Sequence, residues 1–213
     1  MPCETPAVVI NGRNADPAVV AEKMARIRDT HVASLNALAD RIADSLGLPY
    51  GYVPYVDPDQ GGVQARVLVL LDNPSKKAEA GTGSGLLSLD NNDWTARACR
   101  ETYAAAGIDW SAVVHWNVCP FPTASSTGTS LASERARATR WTRDFVALCP
   151  NLEMVLRLGR AAEDGWRRAG ISRDLYVFPE GIPHCSRQGL ATQAARTRFR
   201  DAIARMKSML DAA

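Results

Sequence analysis

The sequence is short of the residues from which metal centres and disulfide frameworks are built. Its 213 residues include only three histidines and five cysteines. The cysteines are odd in number, lie far apart and contain no Cys-x-x-Cys pair. This spacing argues against a disulfide framework and against a structural zinc site. We therefore expect no metal, no cofactor and reduced thiols in a cytoplasmic protein.

Membrane segments and strong charge are also missing. No apolar run is long enough to span a bilayer, and no basic region followed by an apolar run begins the chain. The net charge of +2 is too small to establish a nucleic-acid partner. Basic residues are nevertheless concentrated in the last quarter of the chain. They form either a solvated helix face or a surface that binds phosphates. They are Arg157, Arg160, Arg167, Arg168, Arg187, Arg196, Arg198, Arg200, Arg205 and Lys207.

Residues 1–213 are expected to form a single domain, because no internal repeat or domain boundary interrupts them. Residues 1–15 are predicted to be a loose lead-in. Residues 16–47 are predicted to form an N-terminal helix that begins at Asp16-Pro17 and ends at Gly47. We also expect a monomer without a membrane partner.

Four apolar runs predict the strands of a sheet. The clearest is residues 67–71, which stop at Asp72-Asn73-Pro74 and read as a core strand of a parallel sheet. The other three runs are residues 112–118, 154–158 and 175–178. Helical patterns alternate with them at residues 94–106, 131–148, 160–169 and 190–210. This order predicts an α/β fold, a three-layer αβα sandwich with a central, mainly parallel four-stranded sheet.

Polar residues follow three of these strands. Asp72 and Asn73 follow the first, Asn117 ends the second, and His184 lies beyond the fourth. Each position alone is explained by an ordinary turn or by a side chain that binds loop backbone. Ligands of open α/β sheets bind beyond the carboxyl ends of the strands, so the convergence of three such groups favours a site. The run Gly81-Thr-Gly-Ser-Gly has the wrong spacing for a dinucleotide loop and reads as a flexible loop.

Three short motifs occupy these positions. Residues 71–75 read Leu-Asp-Asn-Pro-Ser, residues 115–121 read His-Trp-Asn-Val-Cys-Pro-Phe, and residues 184–188 read His-Cys-Ser-Arg-Gln. In this order they resemble the uracil-DNA glycosylase superfamily. Its first motif is Gly-x-Asp-Pro-Tyr, Gly-x-Asn-Pro-Gly or Gly-Glu-Ala-Pro-Gly, its middle strand carries a base-reading Asn, and its second catalytic motif is His-Pro-Ser. The resemblance runs from about residue 56 to the carboxyl terminus.

The resemblance implies a monofunctional DNA glycosylase of base-excision repair. Such an enzyme flips the target base out of the stack and hydrolyses its N-glycosidic bond. The expected substrate is uracil, or a related deaminated or oxidised base, in single-stranded or mismatched DNA. The implied catalytic residues are Asp72, Asn73 and His184. The implied base-binding residues are Asn117, Pro74, Ser75, Leu86 and Leu87, and the implied DNA-binding residues are Ser186, Arg187, Gln188 and Gly189.

The chain also departs from these motifs. Leu71 replaces the opening glycine, Cys185 replaces the proline of His-Pro-Ser, and leucines stand where a stacking aromatic is expected. Either Asp72 or Asn73 serves the attacking water, and since adjacent strand residues point opposite ways, one of the two is expected to face the base. The alternative hypothesis is a relative that kept the fold, lost turnover and binds DNA or nucleotides.

Overall fold

The structure is a computed structural model that describes residues 12–123 and 128–212. The described residues form six α-helices and two β-sheets. The helices are α1 (Pro17–Ala25), α2 (Ala33–Leu46), α3 (Trp94–Ala106), α4 (Ala132–Ala147), α5 (Arg160–Ala169) and α6 (Gln193–Ala212). The strands are β1 (Tyr55–Val56), β2 (Val67–Leu71), β3 (Leu86–Leu87), β4 (Val113–Asn117), β5 (Met154–Arg157) and β6 (Tyr176–Val177).

The main sheet contains the four predicted strands, all parallel, in the order β4-β2-β5-β6. Leu71 pairs with Asn117, and Leu70 pairs with Arg157. The carboxyl ends of β2, β4 and β5 therefore lie side by side at one edge. A second sheet, in which the two-residue strands β1 and β3 pair in parallel, was not predicted.

Helices cover both faces of the main sheet. Leu68, Leu70 and Trp116 belong to one apolar cluster with residues of α2, α4 and α5, and the Trp116 ring stacks 4.3 Å from that of Phe145. The alternate residues, such as Val69, belong to a second cluster with residues of α3 and α6. Both faces are thus buried, which explains the continuous apolar runs of the strands. The α/β class and the parallel sheet are as predicted, and two helical layers about one sheet fit the three-layer arrangement.

The prediction of one helix over residues 16–47 is wrong, because the chain turns between α1 and α2. The turn is held by contacts to a distant loop. His31 Nε2 lies 2.8 Å from the carbonyl oxygen of Pro58, and the Val63 amide donates to the His31 carbonyl at 2.8 Å. Just before the turn, the buried Lys23 ammonium contacts the carboxylate of Asp57 at 2.8 Å. Tertiary contacts here override local helix propensity.

The described end of the lead-in is also not loose. Residues Arg13–Ala15 form a short 3₁₀-helix, and the Asn14 side chain donates to Asn91 Oδ1 at 2.9 Å. A Cβ at Gly12 would lie 2.0 Å from the carbonyl oxygen of Asp90, so the backbones pack closely there. Residues 1–11 of the predicted lead-in lie outside the described residues.

The remaining bounds agree with the predictions to within about three residues, which is the usual uncertainty of helix and strand ends. Helices α3 and α5 have the predicted limits. None of the helices in the described ranges combines the length and apolarity needed to cross a membrane.

Candidate active site

A cavity of about 560 Å³ opens at the carboxyl edge of the main sheet. It lies where the loops after β2, β4 and β5 meet the segment 184–189. All three predicted strand-end groups line this cavity. The predicted residues in its wall are Asp72, Asn73, Pro74, Ser75, Leu87, Asn117, His184, Ser186, Arg187, Gln188 and Gly189.

Leu86 is the predicted site residue that does not line the cavity. It pairs with Tyr55 in the small sheet and is fully buried in the apolar cluster beneath it. Leu87 is its neighbour and does line the cavity. Successive strand residues point to opposite faces, so only one of the two leucines can reach a ligand. The structure therefore places Leu86 outside the cavity wall and Leu87 within it.

Asp72 is held rigidly at the end of β2. Its side chain is buried, and its carboxylate accepts hydrogen bonds from both the amide (3.0 Å) and the hydroxyl of Ser130. Arg135 donates to Ser130 Oγ at 3.0 Å and contacts Asp164 at 2.7 Å, which orients the hydroxyl. A carboxylate has about four acceptor positions, so Asp72 can still accept a hydrogen bond from a water in the cavity.

Asn73 also lines the cavity but is held less firmly. Its side chain is half-buried, and its Nδ2 donates to Thr123 Oγ1 at 3.3 Å and to the Pro74 carbonyl at 3.5 Å. Both distances are at or beyond the long end of the usual range for this bond. The geometry therefore favours Asp72 as the better-positioned partner for a water.

Asn117 brings a buried amide without a partner to the cavity. Its side chain is 2% exposed, and its Nδ2 finds no hydrogen-bond acceptor among residues 12–123 and 128–212. A buried, unsatisfied donor costs about 1–3 kcal/mol, so a folded protein seldom keeps one without a use. A ligand with an acceptor atom would satisfy this amide.

His184 is fixed in one tautomer by its own loop. The Ser186 amide donates to His184 Nδ1 at 3.1 Å, so the neutral ring carries its hydrogen on Nε2. Burial lowers the pKa of His184 below its ordinary value of 6.5, while the charges of Asp72 and Asp93 act in the opposite direction. His184 is therefore a neutral hydrogen-bond donor in the cavity at pH 7.

Two glycines allow the chain to pack closely against His184. A Cβ at Gly189 would lie 1.9 Å from the His184 carbonyl oxygen. A Cβ at Gly159 would lie 3.0 Å from the His184 Cβ, and Gly159 has a positive φ of 88°. Both positions thus require glycine, which permits the close packing that holds His184 against the ends of the strands.

No family model matches the sequence, and no curated protein is significantly similar to it. Function is therefore inferred from the cavity itself. Within the described residues, no group of His, Cys, Asp and Glu side chains is placed to hold a metal ion. The cavity presents a carboxylate, an amide donor and a neutral imidazole.

The sequence reasoning missed the residues that support these groups. Ser130, which binds Asp72, lies in a Ser/Thr/Gly segment with no distinctive pattern. His115 lies two residues before Asn117, so both side chains point to the same face of β4. It contacts Gln60 Oε1 at 2.7 Å through Nδ1 and the Tyr103 hydroxyl at 3.1 Å through Nε2. The alternation of side chains along β4 could have identified His115, because it places His115 on the same face of the strand as Asn117.

Replacing Asn117 with leucine is expected to stabilise the free protein. The change replaces an unsatisfied buried amide with an apolar side chain of the same branching and number of heavy atoms, so the free energy of unfolding should rise by about 1 kcal/mol. Urea unfolding followed by circular dichroism measures this difference.

Asn36 provides the matched control for Asn117. It is also buried, but its amide donates to the Ile27 and Val56 carbonyls at 2.9 and 3.2 Å and accepts from the Val56 amide at 2.7 Å. Asn36→Leu should therefore lower the free energy of unfolding by about 2 kcal/mol. Equal destabilisation by the two variants would show that Asn117 has a structural partner.

Proposed function

We propose that the protein is a DNA base-excision glycosylase with a fold of the uracil-DNA glycosylase type. It would hydrolyse the N-glycosidic bond of uracil, or of a related deaminated or oxidised base, in single-stranded or mismatched DNA. The observation that carries the proposal is the unpartnered amide of Asn117, buried in a cavity that also presents Asp72 and a neutral His184.

Asn117 would read the flipped base. The Watson–Crick edge of uracil places a carbonyl acceptor beside an N–H donor, and an amide offers the complementary donor and acceptor. Pro74 and Leu87 supply apolar surface in the same wall. A leucine can pack on the face of a base, although it lacks aromatic stacking.

His184 would stabilise the departing base. Negative charge develops on the base oxygen as the C–N bond breaks, and the Nε2–H of the neutral ring would donate to that oxygen. A donor already in position when the charge appears lowers the barrier, because it needs no reorganisation during the reaction. The fixed tautomer of His184 and its tight packing supply that preorganisation.

Asp72 would serve the attacking water and the sugar. Its carboxylate would accept a hydrogen bond from the water, take the proton released on attack, and stabilise the positive charge that develops on the sugar. The two hydrogen bonds from Ser130 support this choice over Asn73, which has only long contacts. Asn73 would border the base instead.

The segment 186–189 would meet the DNA strand. Arg187 and Gln188 are exposed at the cavity mouth, where they could fill the space left by the flipped base. The Ser186 hydroxyl accepts from the Gly189 amide at 3.2 Å, which folds the segment into a tight turn. Contacts from this segment to DNA phosphates would position the protein on the strand without reading its sequence.

The proposed function is tested by incubating the purified protein with labelled oligonucleotides that contain one uracil, followed by alkali. Single strands and duplexes with a U·G mismatch are both needed, together with matched thymine controls. Strand cleavage at the uracil position is the expected result. Binding without cleavage, for uracil and for a panel of deaminated and oxidised bases, would instead support the hypothesis of an inactive DNA-binding relative.

The pH dependence of excision distinguishes a neutral His184 from a cationic one. Because burial lowers its pKa below 6.5, His184 is predominantly neutral from about pH 7.5 to about pH 8.5, and the single-turnover rate should not fall as pH rises across this range. A rate that drops steadily with rising pH would show that a protonated histidine is required.

Replacing Arg187 with alanine should weaken DNA binding and reduce its salt dependence. If Arg187 contacts one phosphate, the slope of log K against log salt should change by ~0.7–0.9. Fluorescence anisotropy at several salt concentrations measures the slope. Arg41 is the matched control, since it is an exposed arginine on α2 outside the cavity wall. If Arg187→Ala and Arg41→Ala give the same slope, Arg187 does not contact a phosphate of the DNA.

A further inference from the structure

Two buried thiols touch each other directly beneath the candidate site. Cys99 lies on α3, Cys185 follows His184 in the chain, and their sulfur atoms are 3.3 Å apart. Both are reduced and buried, yet Cys99 also lines the cavity. A small polar molecule that enters the cavity therefore meets Cys99 first.

The two thiols differ in position, because Cys99 lines the cavity and Cys185 does not. The close contact with the Cys185 sulfur, assisted by nearby His115, lowers the pKa of Cys99 against the effect of burial. The same contact and burial raise the pKa of Cys185. The direction of this shift favours the thiolate of Cys99, which is the reactive form of cysteine.

The other two described cysteines lack this activation. Burial raises the pKa of Cys119 and the pKa of Cys149 to about 12. Both are therefore thiols at pH 7 and serve as internal references for reactivity. Among the four described cysteines, Cys99 lines the cavity and its contact partner Cys185 follows His184 in the chain.

We propose that Cys99 and Cys185 form a dithiol that hydroperoxides oxidise to a disulfide, and that this oxidation displaces His184. The Cys99 thiolate attacks one peroxide oxygen, the O–O bond breaks, and a sulfenic acid and hydroxide form. Cys185 gives its proton to that hydroxide, its thiolate attacks the Cys99 sulfur, and the S–O bond breaks as a second hydroxide leaves and takes a proton from solvent. Counting the proton that Cys99 had already given to solvent, two thiols lose two electrons and hydrogen peroxide becomes two waters.

The disulfide would act on His184 through the backbone. A disulfide has an S–S distance of about 2.05 Å, so the two sulfur atoms must approach by more than about 1 Å. Gly159 and Gly189 pack closely against the backbone of His184, so a shift of Cys185 would be passed to His184. A displacement of about 1 Å in catalytic geometry costs on the order of 10²-fold in rate. This consequence rests on the proposed function, whereas formation of the disulfide does not.

The disulfide is tested by mass spectrometry on the full-length protein. The wild type is treated with an equimolar amount of hydrogen peroxide, alkylated and digested with trypsin without reduction. Residues 98–100 and 174–187 are tryptic peptides with one cysteine each. A linked pair of these peptides, lost after treatment with dithiothreitol, is the expected result. Oxidation that stops at Cys99 sulfinic acid, or links other cysteines, would overturn the proposal.

Variants identify the contribution of each thiol. Cys185→Ser and Cys99→Ala should both abolish the link, while Cys149→Ser should retain it. Circular dichroism checks that each variant is folded. If a variant does not fold, the digest of the wild type alone tests for the disulfide. A link that persists in Cys185→Ser would contradict the proposal.

Activity measurements separate this inference from the proposed function. Peroxide should lower uracil excision by the wild type by about 10²-fold, with recovery in dithiothreitol, but should leave Cys185→Ser unaffected. If the disulfide forms in a protein that excises no base, the proposed function fails and the dithiol site stands. If the wild type excises uracil equally well in both redox states, the coupling to His184 is wrong.

Discussion

Asp72→Asn is expected to lower the single-turnover rate of uracil excision by about 10²–10⁴-fold, the usual contribution of a positioned acid or base. The variant should remain folded, since an asparagine side chain at this position can still accept from the Ser130 amide and donate to the Ser130 hydroxyl. What it loses is the negative charge that would bind the water proton and stabilise the sugar cation. Quenched-flow sampling with enzyme in excess measures this rate.

Two further variants separate the role of Asp72 from general effects of charge or position. Asp93 lines the same cavity and caps α3 by accepting from the Ala96 amide, a role that asparagine also fills. Asp93→Asn should therefore keep most of the activity. Asn73→Ala should cost less than Asp72→Asn. If the order of the Asp72 and Asn73 variants is reversed, Asn73 holds the water.

His184→Ala is expected to lower the excision rate by about 10²–10³-fold, the usual effect of removing one donor to a developing anion. DNA affinity should change little, because the interaction grows mainly in the transition state. Single-turnover rates and equilibrium binding to the same uracil oligonucleotide are compared. His31→Ala is the control, because it removes an imidazole outside the cavity wall. Equal losses of binding and rate would make His184 a DNA contact.

The sequence alone was sufficient to predict the main sheet and the edge that carries the candidate site. Strands β2, β4 and β5 are buried on both faces, so each appears as a continuous apolar run that stops at turn-forming or polar residues. Parallel pairing then requires their carboxyl ends to lie together. Asp72, Asn117 and His184 were found for this physical reason.

The errors arise where long-range contacts decide the local structure. The two-residue strands that contain Tyr55 and Leu86 are too short to show a period, so the sequence does not predict the small sheet. The break before α2 depends on contacts of His31 with residues that follow much later in the chain. The local pattern of apolar and polar residues contains no information about contacts with distant parts of the chain.

The supporting residues of the site were missed for a related reason. Ser130 is recognisable only once the fold brings its amide and hydroxyl to Asp72. The contact between Cys99 and Cys185 joins residues 86 positions apart. Sequence showed only that Cys185 replaces a proline of the motif, not what its side chain touches.

The most direct test of the central claim is detection of the free base. Wild type and Asp72→Asn, purified in parallel from cells that lack their own uracil-DNA glycosylase, are incubated with uracil-containing single strands. The low-molecular-weight fraction is then analysed by mass spectrometry. Release of uracil by the wild type, with an intact abasic strand and little release by Asp72→Asn, is the expected result. No release by the wild type, or equal release by both proteins, would contradict the assignment of this cavity as a glycosylase site.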